Sequence, residues 1–87
     1  MMTRISSFHG VDIYMYFNDH LPPHFHGMHG DDEALISYSP PQLYRGSLPP
    51  KVLKLVLEWA ALHPAELDDN WQRARNAQPL VAIAPLP

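Results

Sequence analysis

Hydrophobic and polar positions alternate through the first half of the chain and fall into a helical rhythm in the second. From Val11 to Phe17 the order Val-Asp-Ile-Tyr-Met-Tyr-Phe sets Val11, Ile13, Met15 and Phe17 on one face and Asp12, Tyr14 and Tyr16 on the other. That period of two predicts a strand with one buried face and a partly aromatic outer face. Ile5 to Phe8 predicts a shorter strand before it, with Gly10 at a turn or bulge. Asn18-Asp19-His20-Leu21-Pro22-Pro23 is a turn by composition, since Asn and Asp bond their own backbone and the prolines cannot donate to a ladder. His24 to His29 resumes an extended chain, Gly30-Asp31-Asp32 reads as a hairpin turn, and Glu33 to Tyr38 reads as a third strand with Ala34, Ile36 and Tyr38 together. Ser39-Pro40-Pro41 ends it. The first half is therefore expected to be a three-stranded antiparallel meander.

Ser47-Leu48-Pro49-Pro50 opens a helix, because proline is tolerated where its missing N–H is not needed. Between Lys51 and Leu62 the only polar residues are Lys51, Lys54 and Glu58. A helix so apolar over its circumference is expected to be covered on two flanks. A second helix starts near Pro64, with Glu66, Asp68 and Asp69 in its early turns, where the helix dipole favours negative charge. Leu67, Trp71 and Ala74 form its inward stripe. Leu80 to Ala84, between Pro79 and Pro85, predicts a last short strand returning to the sheet. The fold expected is α+β, a single domain over residues 1–87. It has an antiparallel sheet of three to four strands, and two helices packed on one face with the first helix central and buried.

At 87 residues with 46% hydrophobic and 17% charged residues, the chain has the composition of a small folded globule rather than of a disordered segment. The absence of cysteine excludes disulfides, thiolate metal sites and thiol nucleophiles. Six Lys and Arg against nine Asp and Glu give a net charge of -3, and no basic cluster offers itself to phosphates, so nucleic acid is not an expected partner. No apolar run is long enough to span a membrane and no basic segment leads one, which makes the cytoplasm the expected location.

The candidate chemistry lies in histidine. Five of the six histidines fall within the first 29 residues. His24 and His26, two apart on an extended chain, present both imidazoles to the same face with Cα atoms ~6.5–7 Å apart. Such a pair can converge on one divalent ion, zinc, iron or manganese, with His20 or Asp19 returned by the Pro-Pro turn as a further ligand. Packing, carbonyl capping or a partner interface is the more ordinary account of the same histidines. Tyr14 and Tyr16 join His24 and His26 on the outward face as candidate partner-binding residues. Trp59 and Trp71 read as core, and His63 as a link between the helices. His29 is out of phase with the His24–His26 pair.

The segment Asp19-His20-x-Pro22-Pro23-His24-Phe25-His26 resembles the signature of a small bacterial family of unknown function. Further matching pieces are Ile5-Ser6-Ser7-Phe8, Gly10 to Tyr16, Gly46-x-Leu48-Pro49, Leu57-Glu58-Trp59, Glu66-Leu67-x-x-Asn70-Trp71 and Ile83-x-Pro85-Leu86. The resemblance implies a free-standing domain whose gene neighbours another small gene, as in toxin–antitoxin pairs, and it singles out His20, His24 and His26. Two functions follow as expectations. The first is a cytoplasmic interaction module with a protein partner, one half of a toxin–antitoxin-like pair, with homodimerisation compatible with it. The second is a histidine-based or metal-dependent hydrolase acting on RNA, for which Arg4, Arg45, Lys51 and Lys54 would have to converge in space. The sequence does not decide whether the protein is an enzyme.

Overall fold

The computed structural model describes residues 2–87. In chain order it contains β1 (Met2–Phe8), β2 (Val11–Tyr16), β3 (His24–His29), β4 (Asp32–Tyr38), β5 (Pro41–Gly46), α1 (Pro50–Leu62) and α2 (Pro64–Arg75). The strands form one open sheet in the order β1-β2-β3-β4-β5, every neighbour antiparallel. The sheet thus has five strands rather than three to four. The strand that sequence patterning overlooks is β5, an edge strand exposed from Gln42 to Gly46. With neither face in the core it carries no period-two hydrophobic signal.

Alternation puts Ile13, Met15, Phe25, Ala34, Ile36 and Tyr38 on one face, all buried. The Trp59 ring of α1 packs edge-on to Phe25 at 5.6 Å and against Phe8 at 5.3 Å. Leu67 and Trp71 of α2 complete the same core. Both helices therefore pack on this face, and the opposite side of the strands carries Tyr14, Tyr16, His24 and His26, with α2 reaching round to His24 through Trp71. Each buried aromatic side chain of this kind contributes roughly 1.5–3 kcal/mol by leaving water.

Two irregularities in the ladder matter. Between Arg4 and Ser6 the β1–β2 register shifts, so Ile5 and Ser6 are both buried although adjacent. Between Leu35 and Ile36 the β4–β5 register shifts as well, because Arg45 pairs Leu35 and Leu43 pairs Ile36, leaving Tyr44 without a partner across the ladder. That extra residue turns the Tyr44 ring toward the side that carries His24.

Two further expectations are corrected. Leu80 to Ala84 forms no strand, since the flanking prolines deny it a ladder. Its extended backbone is held instead by Ile83 N–H donating to the Ile5 carbonyl at 2.8 Å and by Trp59 Nε1–H donating to the Ala84 carbonyl at 2.8 Å. The Asn70 side chain also brackets Val81, with Nδ2–H donating to its carbonyl and Oδ1 accepting its N–H, both at 2.8 Å. Nor is α1 covered on both flanks. Only Val56, Trp59 and Ala60 are buried in it, while Leu62 is 65% exposed. Its second flank is open because α2 packs on the sheet beside it instead of over it.

Candidate metal centre

β3 turns His24 and His26 to the side opposite Phe25, and the connection between β2 and β3, residues 17–23, folds Asp19 back over them. His24 Nε2 lies 3.0 Å and His26 Nε2 2.9 Å from the same carboxylate oxygen, Asp19 Oδ2. His24 is fully buried, His26 nearly so, and the Asp19 side chain is 14% exposed. The ligand atoms of these three residues lie within 4.8 Å of one another, so they could hold one metal ion.

The outward-turned ring nitrogens are engaged from behind. His24 Nδ1 lies 2.7 Å from the Pro22 carbonyl, and His26 Nδ1 lies 3.0 Å from Glu33 Oε2. A carbonyl and a carboxylate only accept, so both Nδ1 atoms carry hydrogen. With hydrogen on Nδ1, Nε2 is the nitrogen each ring turns toward Asp19: it donates when it carries a proton, as in the 2.9 Å hydrogen bond from His26 to Asp19 Oδ2, and it offers a lone pair to a cation when it does not. His24 Nε2, though close to Asp19 Oδ2, is out of line for a hydrogen bond and is buried without a hydrogen-bond partner. Three electron-rich atoms facing one point require a positive charge between them, whether protons or a cation.

Electrostatics agree with an ionised Asp19. Burial pushes its carboxyl upward, but the hydrogen bond with His26, the backbone N–H of His20 at 2.8 Å and the neighbouring His24 and His26 together hold it below its ordinary value. Around the centre, Tyr14 pairs directly across from His26, and the Tyr16 ring lies 4.4 Å from the His26 ring. Trp71 packs 5.5 Å from the His24 ring. Tyr44 stands 6.1 Å from His24 and 6.5 Å from His20.

His20 stacks on His24 at 4.7 Å, with its Nε2 3.6 Å from Asp19 Oδ1, but its side chain is half exposed and stands outside the convergent trio. The other histidines are elsewhere. His9 contacts the Pro87 carbonyl at 2.9 Å, His29 lies beside Gly10 at the far end of β3, and His63 joins the helices with its Nδ1 2.6 Å from Glu66. Nor do the basic residues gather. Arg4 and Arg45 sit on opposite edge strands, Arg4 beside Asp12 and Arg45 over the Tyr44 ring, whereas Lys51 and Lys54 are on α1.

Glu33 is the residue at this site that sequence reasoning passes over, because it stands at the start of the third expected strand, next to the Gly30-Asp31-Asp32 turn, as one more acidic residue. Alternation puts Glu33 on the same face as Leu35, and the β3–β4 register then brings it to His26. Leu35 pairs His26 across the β3–β4 ladder, and Glu33, two residues earlier, shares that face diagonally.

No curated protein and no solved structure matches the chain. A family profile described as a domain of unknown function, DUF4160, matches residues 10–72. That span begins in the first hairpin turn, takes in Asp19, His24, His26 and Glu33, and ends just after Trp71. Covering well over half of the chain, the match places it: this protein belongs to the DUF4160 family.

Proposed function

We propose that this domain works through a divalent transition-metal ion, zinc, iron or manganese, held by Asp19 Oδ2, His24 Nε2 and His26 Nε2. The observation that carries the reading is the buried, unpartnered Nε2 of His24, aimed with that of His26 at one carboxylate oxygen. Two imidazoles and a carboxylate suit these three metals, and structural zinc sites close with four protein ligands whereas catalytic sites keep a position open. With three close protein ligands, the ion would retain water, whose pKa a divalent metal lowers toward neutrality. Hydrolysis is the chemistry that follows. The chain's own part is to fix both imidazole tautomers through Pro22 and Glu33, hold Asp19 ionised and shield the site with Trp71 and Tyr16. Scattered basic residues argue for a small substrate rather than RNA.

The test is turnover of activated ester and phosphodiester substrates by protein loaded with zinc, manganese or ferrous iron. The reading expects metal-dependent hydrolysis that Asp19→Asn abolishes. Absence of metal-dependent turnover on both substrate types, or turnover equal in the variant, contradicts it.

A second reading has its own observation. Leu21, in the loop carrying Asp19, is 63% exposed, and Tyr44 is 41% exposed, so apolar surface rims the centre. This favours an interaction module that meets a protein partner with the surface around Tyr14 and Tyr16; on the family resemblance, that module would be bacterial and cytoplasmic and its partner the product of a neighbouring gene in a toxin–antitoxin-like pair. His24 and His26 lie beneath that surface and shape it. Co-expression should yield a complex that Leu21→Asp weakens, and failure to co-purify contradicts it.

A further inference from the structure

The open flank of α1 is a shallow groove of about 570 Å³ lined by Pro50, Leu53, Lys54, Leu57, Glu58 and Ala61. It lies across the sheet from the metal centre. Its apolar part runs along Leu53 and Leu57 on one side, and Lys54 and Glu58, both exposed, run along the other. Among the described residues, the ion pairs are those of Arg4, Arg73 and the histidines, and neither Lys54 nor Glu58 takes part. A lysine four residues before a glutamate is also the less favourable order for a pair within one helix. Both charges are thus available to a partner.

We propose that this face is covered by α1 of a second copy of the chain, packed antiparallel about a two-fold axis level with residue 56. The argument is charge complementarity. At a rise of ~1.5 Å per residue, Lys54 and Glu58 stand ~3 Å to either side of that axis along the helix. A two-fold axis perpendicular to both helices reverses the direction of the chain and keeps each flank on its own side. Lys54 of each copy therefore meets Glu58 of the other, twice, along one border. Along the other border the leucines interleave in the order Leu53, partner Leu57, Leu57, partner Leu53, spaced by ~3 Å. The surface is self-complementary in charge and in the spacing of its leucines, as an isologous interface requires. It also covers the flank that the apolar composition of α1 demands be covered.

Sedimentation equilibrium of the full chain tests this, with Lys54→Glu, Glu58→Lys and the double variant as arms, all at exposed positions. The proposal expects a wild-type dimer, a dimer weakened about tenfold or more by each single reversal, and restoration in the double reversal, which recreates both pairs with the signs exchanged. A wild type that stays monomeric into the millimolar range overturns it. So does a dimer indifferent to the single reversals, or one that the double reversal fails to restore.

Discussion

At Glu33 Oε2, 3.0 Å from His26 Nδ1, a surface carboxylate decides how a buried ring is protonated. An acceptor there keeps hydrogen on Nδ1 and fixes the ring with Nε2 toward Asp19, and outer partners of this kind typically account for ~10–100-fold in metal affinity. Glu33→Gln, which preserves shape but presents a weaker acceptor, should therefore lower affinity by roughly 10–100-fold in a calorimetric metal titration while leaving the stoichiometry unchanged. Asp19 gives a pH prediction from the same neighbourhood. Its carboxyl is held below the ordinary 3.8, so its ionised form stabilises the folded chain at and above that value. The contribution should disappear only as the pH falls through the lowered value. Unfolding of metal-free wild type and of Asp19→Asn, followed across acid pH in the presence of a chelator, should show a stability gap that persists down to the ordinary carboxylate range and closes below it.

Among the elements, β5 shows how a strand forms without a hydrophobic pattern. It is held by its ladder to β4 and by the turn that Gly46 makes at φ +81°, where the Ser47 N–H donates to the Glu33 carbonyl at 3.1 Å. A Cβ at residue 46 would collide with that carbonyl. Gly46→Ala should destabilise the fold by more than ~1 kcal/mol, read as a shift in the denaturation midpoint, and should weaken metal binding because Glu33 moves with its backbone. The same element explains what the sequence made legible. β2 and β4 each bury one face, so alternation locates them, whereas β3 is buried on both faces from His24 to Gly27 and is legible only as the extended segment between two turns; His24-x-His26 on that segment sets two imidazoles on one side. The Asn-Asp and Pro-Pro composition of residues 18–23 likewise marked the turn that returns Asp19. An exposed edge strand has no such alternation, and a Glu33–His26 contact depends on cross-strand register, which lies in the pairing and not in either segment alone. Proline brackets hid the fate of residues 80–84 for a related reason: an apolar run can be pinned by side-chain hydrogen bonds from Asn70 and Trp59, with Ile83 alone fully buried, without joining a sheet.

For the molecule as a whole, the division of labour follows from a five-stranded sheet covered by helices on one face only. The helix side holds the core, and the other side has room for polar chemistry because the connection between β2 and β3 supplies its own cover. The C-terminal segment ties the helices to β1: Asn70 of α2, 1% exposed, satisfies both backbone groups of Val81, and the Ile83 N–H donates to the Ile5 carbonyl of β1. Asn70→Ala leaves those groups without their partner and should cost about 1–3 kcal/mol in global stability by denaturant titration, with metal stoichiometry intact. Separating stability from metal binding in this way isolates the centre as the functional feature. The most direct measurement is the metal content of tag-free native protein by elemental analysis, beside a His24→Ala/His26→Ala control whose circular dichroism shows it folded. The account predicts close to one zinc, iron or manganese ion per wild-type chain and none in the control. Metal-free wild-type protein that takes up none of the three on titration, or equal uptake by wild type and control, would contradict it.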